Sequence, residues 1–239
     1  MLGKVIGKIS SIRTNNIDTV CQLVKPTINN PKIIPLITTP QTQLRDITTA
    51  TRDTVLEYFN KNDTVTSTTL AYRIPSMGNK WALVSGLTPS AFLLEEIADD
   101  KNSTFYTVVH DKNRASIFRN SKAKAAIEGI YKRDRNEHYD MPGSIICRYI
   151  PVIMDNVKLI EAVLSISTMT EPFVDGSNIH KEADAEKTVN DYILTHYEAK
   201  LKFELLLFYI HERNDAIKAR DGTIKPRRTY WSKLIIQNE

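Results

Sequence analysis

The polar side chains with the clearest chemical potential lie in two apolar segments near the middle of the chain. Arg148 lies in "GSIICRYIPVIM", and Ser165 and Ser167 lie in "LIEAVLSIST". Alternate residues of a strand face opposite sides of a sheet, so the two serines share a face. A guanidinium beside two hydroxyls can hydrogen-bond an anionic or carbonyl group. We therefore predict a polar ligand site at Arg148, Ser165 and Ser167, with a simply solvated sheet face as the alternative.

Two further segments supply candidate walls for this site. Tyr106 and Val108 belong to "STFYTVVHD", whose β-branched residues predict a strand. Tyr139 belongs to "KRDRNEHYD", which is typical of a loop. In that loop His138 lies near two carboxylates and could act as a base or a ligand, although such runs are more often exposed.

The sequence contains no recognisable catalytic or metal-binding motif. None of the five histidines has a partner at the fourth following residue, and no Cys/His spacing suggests zinc. Ser144 follows a glycine, but no nucleophile-elbow pattern surrounds it. The eight glycines form no phosphate-binding loop. These observations indicate a protein without turnover of its own, and they identify no cofactor.

Hydrophobic periodicity predicts the elements that hold these residues. Apolar residues recur at helical spacing in residues 41–60, and β-branched residues dominate the segment that follows. The "PSMGN" turn then joins two strands into an antiparallel hairpin. In chain order we predict a helix at 41–60, strands at 64–74 and 80–86, a helix at 88–100, a strand at 103–111, a helix at 121–133, the hairpin of Arg148 and Ser165, and a helix at 183–220.

Both ends of the chain differ in character from this central part. Residues 1–40 are punctuated by proline, which fixes φ and lacks an amide hydrogen, so we predict an extended arm that packs on its own domain or on a partner. Residues 221–239 form a basic tail broken by Gly and Pro. Between these ends, residues 41–220 form one predicted domain.

Composition limits the class of protein. The chain has 239 residues, 41% hydrophobic and 25% charged, which suits a globular protein with a core. A net charge of +4 is too small for a dedicated nucleic-acid binder. The two cysteines, Cys21 and Cys147, do not make a disulfide framework, and no apolar run is long enough to cross a membrane. We therefore expect a cytoplasmic protein with no membrane partner.

The order of predicted elements, and above all one hairpin, resembles a GAF domain, the sensor module related to PAS domains. The hairpin reads "GSIICRYIPVIM", "DNVK" and "LIEAVLSIST", which is similar to the strand, polar turn and strand of that family. The resemblance covers about residues 41 to 215. It implies an antiparallel sheet with the first and last helices on one face and, on the other, middle helices and loops that often roof a small-ligand pocket.

The resemblance implies a sensor that binds a small polar ligand and signals through its terminal helices, either to an output protein or within a homodimer. The helix at 183–220 carries a broad apolar stripe, and residues Leu44, Ile47, Val55 and Phe59 offer a neighbouring apolar face. We expect these helices to pair with a second copy, unless residues 1–40 cover the stripe within a monomer. Two alternatives remain, a structural interaction module without a ligand and a weak nucleic-acid binder through the basic tail.

Overall fold

Five strands form one antiparallel sheet in the computed structural model of the chain. The structure describes residues 39–61, 66–84, 94–111, 113–132, 143–175 and 179–221. The strands are β1 (Thr66–Arg73), β2 (Ala82–Leu83), β3 (Ser116–Arg119), β4 (Ile145–Met154) and β5 (Val157–Thr168). Their order across the sheet is β2-β1-β5-β4-β3. The predicted α+β class with an antiparallel sheet is confirmed.

Helices flank this sheet. The described helices are α1 (Pro40–Phe59), α2 (Leu94–Ala98), α3 (Thr104–His110), α4 (Lys122–Ile127), α5 (Ile179–Thr188) and α6 (Thr195–Arg220). A π-helical segment, Val189–Leu194, joins α5 to α6, so the helix predicted for residues 183–220 is continuous from residue 179 with one change in hydrogen-bond pattern. Residues 1–38 and 222–239, which include nearly all of the predicted arm and tail, lie outside the described residues.

Asp155 and Asn156 form the turn that joins β4 to β5. Their φ angles are 50° and 63°. A two-residue hairpin turn with positive φ at both positions matches the right-handed twist of the strands, and Asp and Asn tolerate this conformation better than most residues. Met154 pairs with Val157 directly across the turn. The predicted hairpin is confirmed, and an irregularity between Val152 and Ile153 shifts the pairing by one residue beyond the turn.

Local signals fix both ends of α1. The Thr39 hydroxyl accepts a hydrogen bond from the Thr42 amide at 3.3 Å, and Pro40 occupies a position where an amide hydrogen is not needed. Asn60 ends the helix in the left-handed conformation, with φ at 55°. The helix predicted at 41–60 is confirmed. Its buried apolar side chains are Leu44, Ile47, Val55 and Leu56.

The main core lies between the sheet and the two long helices α1 and α6. We call this side of the sheet the inner face. Its fully buried strand residues include Leu70, Ile146, Ile150, Leu164 and Ile166, and α6 adds Tyr197, Leu201, Leu205 and Phe208. The Tyr197 and Thr54 hydroxyls hydrogen-bond at 2.9 Å and join the two helices. Burial of each such large apolar side chain stabilises the fold by about 1.5–3 kcal/mol.

A smaller core covers the opposite side of the sheet, the outer face. Helices α2 and α3 contribute Ala98, Phe105 and Val108, which pack on apolar residues of all five strands. The strand residues of this cluster include Ala71, Ile117, Cys147, Val163 and Leu83. Helices therefore pack on both faces, as predicted, but the two described helices on the outer face are much shorter than α1 and α6.

Residues 103–111 form helix α3, so the strand predicted there is wrong. Ser103 caps the helix, since its hydroxyl accepts a hydrogen bond from the Tyr106 amide at 2.8 Å. Phe105 and Val108 lie three residues apart and both pack against the outer face. The β-branched content of this segment favoured a strand, but the cap and the helical spacing of the buried residues outweigh that preference.

The strand at the sheet edge, β3, was not predicted. It spans only four residues, "SIFR", too few for alternation to be distinguished from a loop. Ile117 belongs to the outer core, and Phe118 packs against the inner core. Pairing with β4, a long-range contact, is what orders this segment.

Arg148 links the sheet to α6 through the inner face. Its Nε donates to Oε2 of Glu198 at 2.9 Å, its Nη2 donates to the same oxygen, and its Nη1 donates to the Ser116 hydroxyl at 3.4 Å. Lys202 contacts the other Glu198 oxygen at 2.7 Å. Burial alone raises the pKa of Glu198, but the hydrogen bonds from Lys202 and Arg148 outweigh it and hold the pKa below its ordinary value.

Arg148→Met should lower the free energy of unfolding by about 2 kcal/mol, because it removes two of the N–H donors to the poorly exposed Glu198. Lys202→Met is the matched control, since Lys202 is 42% exposed and its removal should cost under about 1 kcal/mol. Urea unfolding of both variants at neutral pH measures the difference. Equal losses would contradict a structural role specific to Arg148.

Candidate functional site

The pairing of β4 with β5 separates the arginine from the serines of the predicted site. Cys147 pairs with Ser165, whereas Arg148 pairs with Leu164. Directly opposed residues of antiparallel strands project to the same side. Arg148 therefore lies on the inner face, while Ser165 and Ser167 lie on the outer face, and the prediction that the three share a face is wrong. Alternation within one strand does not reveal the register between two strands, and a one-residue shift reverses the faces.

The three predicted wall residues have different outcomes. Val108 lies over the outer face, fully buried in its core, but it arrives on a helix rather than a strand. Tyr106, on the same helix, stacks on His110 with ring centroids 4.0 Å apart. Tyr139 lies outside the described residues.

A patch of hydroxyl groups occupies one end of the outer face. We call Ser67, Thr69, Ser165 and Ser167 the serine end. Ser67 pairs with Ser167 and Thr69 pairs with Ser165, so β1 and β5 present two adjacent rows of hydroxyls. Among the described residues, these four side chains make one hydrogen bond, which Ser165 accepts from the Cys147 thiol at 3.6 Å. Ser67 and Thr69 were not predicted as site residues. Alternation in "TSTTLAYR" identifies them once the register with β5 is known.

Arg119 is a positively charged residue on the outer face. It occupies the side of the sheet on which Arg148 was predicted to lie. It pairs with Ile145, which in turn pairs with Ser167, so Arg119 lies in the row of Ser67 and Ser167. Its Nε is buried and has no hydrogen-bond partner among the described residues. Burial, followed by the positive charge of Arg114, lowers the pKa of the Arg119 guanidinium. An arginine nevertheless stays charged at neutral pH.

Cys147 lies beside the serine end on the same face of the sheet. It is on β4, between Ser165 of β5 and Ile117 of β3. Burial raises the pKa of its thiol to about 12, and the contact with Ser165 and the charge of Arg119 offset only part of this rise. The thiol is therefore protonated at neutral pH and is a weak donor rather than a nucleophile. With Ile117 and Ile145, it forms an apolar border of the serine end on the side of β3.

The opposite end of the outer face carries a closed ionic cluster, the charged end. Glu161, with a side chain only 2% exposed, accepts hydrogen bonds from Arg73 Nε at 2.5 Å and Lys158 Nζ at 2.8 Å. The Tyr149 hydroxyl also donates to this carboxylate. The Arg73 guanidinium lies 4.8 Å from the centre of the Trp81 ring. Each group in the cluster has a partner, which favours a structural role.

The protonation states of the charged end follow from these contacts. Burial alone raises the pKa of Glu161, but the hydrogen bonds from Arg73, Lys158 and Tyr149 outweigh it and hold the pKa below the ordinary value of 4.5. Burial raises the pKa of Tyr149 to about 12, and its bond to the Glu161 carboxylate adds to the rise. At neutral pH the cluster therefore contains an ionised carboxylate and a neutral tyrosine donor.

Comparison of the chain with protein-family models, with curated proteins and with solved structures gives no match. Within the described residues, no group of three or more His, Cys, Asp or Glu side chains is arranged to hold a metal ion. No helix in that part of the chain is both long and apolar enough to cross a membrane. The serine end, whose four hydroxyls make a single hydrogen bond within the described part of the chain, is the candidate site.

Glu161→Gln should lower the free energy of unfolding at neutral pH by about 3 kcal/mol, because it removes a buried charge that three donors surround. The pKa of Glu161 is lowered by folding, so its contribution is present above pH 4.5 and is lost as pH falls through the lower folded-state pKa. The difference between wild type and variant in urea unfolding should therefore shrink in acid. A difference that does not change with pH would contradict this assignment.

Proposed function

We propose that the chain is a GAF-like sensor domain without catalytic turnover, which binds a small polar molecule at the serine end. The proposal rests on a difference between the two faces of the sheet in how their side chains are covered and hydrogen-bonded. Two long helices pack on the inner face, whereas four hydroxyls on the outer face make one hydrogen bond among the described residues. The GAF resemblance implies the same division, with the first and last helices on one face and the ligand on the other.

The serine end suits a ligand with several polar groups. Each hydroxyl can donate one hydrogen bond and accept two, so the rows can adapt to carbonyl, hydroxyl or charged groups. Opposed residues within a row lie about 5 Å apart, and the two rows lie two residues apart along each strand, about 7 Å, so one small molecule can reach both rows. Ile145, which is only partly buried beside these rows, gives the carbon skeleton of such a ligand a surface to cover.

Strand β5 connects this site with the terminal helices. Ser165 faces the outer side, and its neighbours Leu164 and Ile166 are buried in the inner core beside α1 and α6. On β4, Arg148 is hydrogen-bonded to Glu198 of α6. A ligand with higher affinity for one position of β5 would therefore shift the population of helix arrangements. We propose that this is how binding is passed to the helices.

The outward side of α6 carries an exposed apolar row, which we call the outer stripe. Phe203, Leu207, Ile210 and Ile217 form it, and their exposed fractions run from 37% to 59%. Their steps of four, three and seven residues match the seam of a coiled coil. Leu201 and Leu205 bury the other side of the helix against the sheet. We propose that the outer stripe pairs with a second copy of the chain, as terminal helices of the resembled family commonly do.

The same fold also suits the alternatives. A structural module that binds another protein and no ligand would use the outer stripe alone, and residues 1–40 could cover that stripe in a monomer. The basic tail, the candidate contact for nucleic acid, lies outside the described residues. The buried, protonated thiol of Cys147 suits a reducing compartment, and we propose a cytoplasmic location on that ground.

Native mass spectrometry of the purified full chain should reveal a retained small molecule. Replacement of Ser165 and Ser167 together by alanine should weaken its binding about thirtyfold, since two neutral hydrogen bonds of about 1 kcal/mol each are lost. Thr68→Val is the matched control, because Thr68 is buried on the inner face and its hydroxyl has no partner among the described residues. A chain that retains no molecule, and that no member of a broad metabolite library stabilises, would contradict the sensor proposal.

Sedimentation equilibrium should give a dimer mass for the wild-type chain. Leu207→Glu should shift the equilibrium to monomer without unfolding the chain, because it places a charge in the outer stripe. Ile127→Glu is the control, since Ile127 is 82% exposed on α4, outside that stripe. A wild-type monomer would reject the dimer. If deletion of residues 1–40 then produced a dimer, the arm would be identified as the cover of the stripe.

A further inference from the structure

We infer that the ligand of the serine end carries a carboxylate, and that the Arg119 guanidinium binds it. This inference rests on the proposed ligand site and specifies the chemical class of its ligand. It depends on three features: the buried Nε of Arg119, the positive charge near it, and the position of Arg119 relative to the hydroxyl rows.

The buried Nε of Arg119 requires an acceptor. Its N–H points to no oxygen or sulfur acceptor among the described residues. A buried donor without a partner costs about 1–3 kcal/mol, and more when it belongs to a charged group. Burial of the neighbouring charge adds to this cost, as the lowered pKa of Arg119 indicates. A bound anion would remove both costs, because it supplies an acceptor and an opposite charge.

The charged groups around Arg119 do not neutralise it, which favours binding of such an anion. Arg114 is close enough to disfavour the Arg119 charge, and its effect is larger than that of any acidic neighbour. Glu128 and Glu186 act in the opposite sense, but neither is hydrogen-bonded to Arg119. Arg119 therefore differs from Arg148 and Arg73, which are neutralised by Glu198 and Glu161.

The geometry favours a carboxylate over a phosphate. One guanidinium presents two parallel N–H groups, which match the two oxygens of a carboxylate. Arg119 is the cation in its row, and the other polar side chains in that row are neutral hydroxyls. Two strand spacings of about 4.8 Å separate Arg119 from Ser167, so a ligand of a few carbon atoms can reach both. Ile145, between them in the same row, would contact the carbon skeleton.

The test uses ¹H–¹⁵N NMR of the full chain with three probes: pentanoate, the matched amide pentanamide, and inorganic phosphate. Pentanoate should shift the Arg119 Nε–H resonance and the Ser165 and Ser167 amide resonances in a saturable way, and pentanamide should not. Arg119→Lys keeps the charge but loses the paired donors, so it should bind pentanoate about tenfold more weakly. Arg45→Met, on α1, is the control arginine and should leave binding unchanged.

Each other outcome overturns the inference. Shifts with phosphate or pentanamide but not with pentanoate would retain the ligand site and reject the carboxylate. Absence of any shift at Arg119 with all three probes would reject its role, whereas the sensor proposal would still be judged by whether the chain retains a small molecule. If Arg119→Lys bound pentanoate as tightly as wild type, binding would depend on positive charge alone, and the proposed contact with the paired guanidinium donors would be rejected.

Discussion

The register between β4 and β5 is the constraint on which the rest of the molecule depends. The turn at Asp155 and Asn156 joins the two strands, and an irregularity between Val152 and Ile153 shifts the pairing by one residue from there to the far end of the hairpin. A shift by one residue would turn Ser165 and Ser167 toward α1 and α6 and expose Leu164. Because the inner core buries several large side chains at about 1.5–3 kcal/mol each, such a shift is strongly disfavoured. The core therefore holds the pairing beyond the irregularity at Val152 and Ile153, a pairing that the turn alone does not set.

The two ends of the outer face show how differently a sheet can treat polar groups. At the charged end, Glu161 is nearly inaccessible and is held by three donors, so the cluster closes on itself. At the serine end, the hydroxyls and Arg119 have almost no protein partners among the described residues. A buried polar group needs a partner, whether protein, water or ligand. The charged end meets that requirement within the chain, and the buried Nε of Arg119, which has no partner in the described residues, supports the proposal that a ligand does so at the serine end.

Strand β5 is the element that brings site and helices together. Its residues alternate between the serine end and the inner core, and α6 continues from that core to the outer stripe. Helix α6 is thus apolar on two sides, one packed on the sheet and one exposed. A long helix with that distribution can transmit a small displacement, because packed interfaces move between discrete arrangements rather than deforming continuously.

The sequence by itself determined the elements whose signals are local. Short stretches of chain specify helix α1 with its cap at Thr39, the hairpin turn at Asp155 and Asn156, and the long C-terminal helix. Where local signals conflicted, at 103–111, or were too short, at β3, prediction failed. Only the tertiary structure decided that Arg119, and not Arg148, shares a face with the serines. The physical reason is that alternation within a strand repeats every two residues, so the choice of face depends on pairing with strands that are distant in sequence.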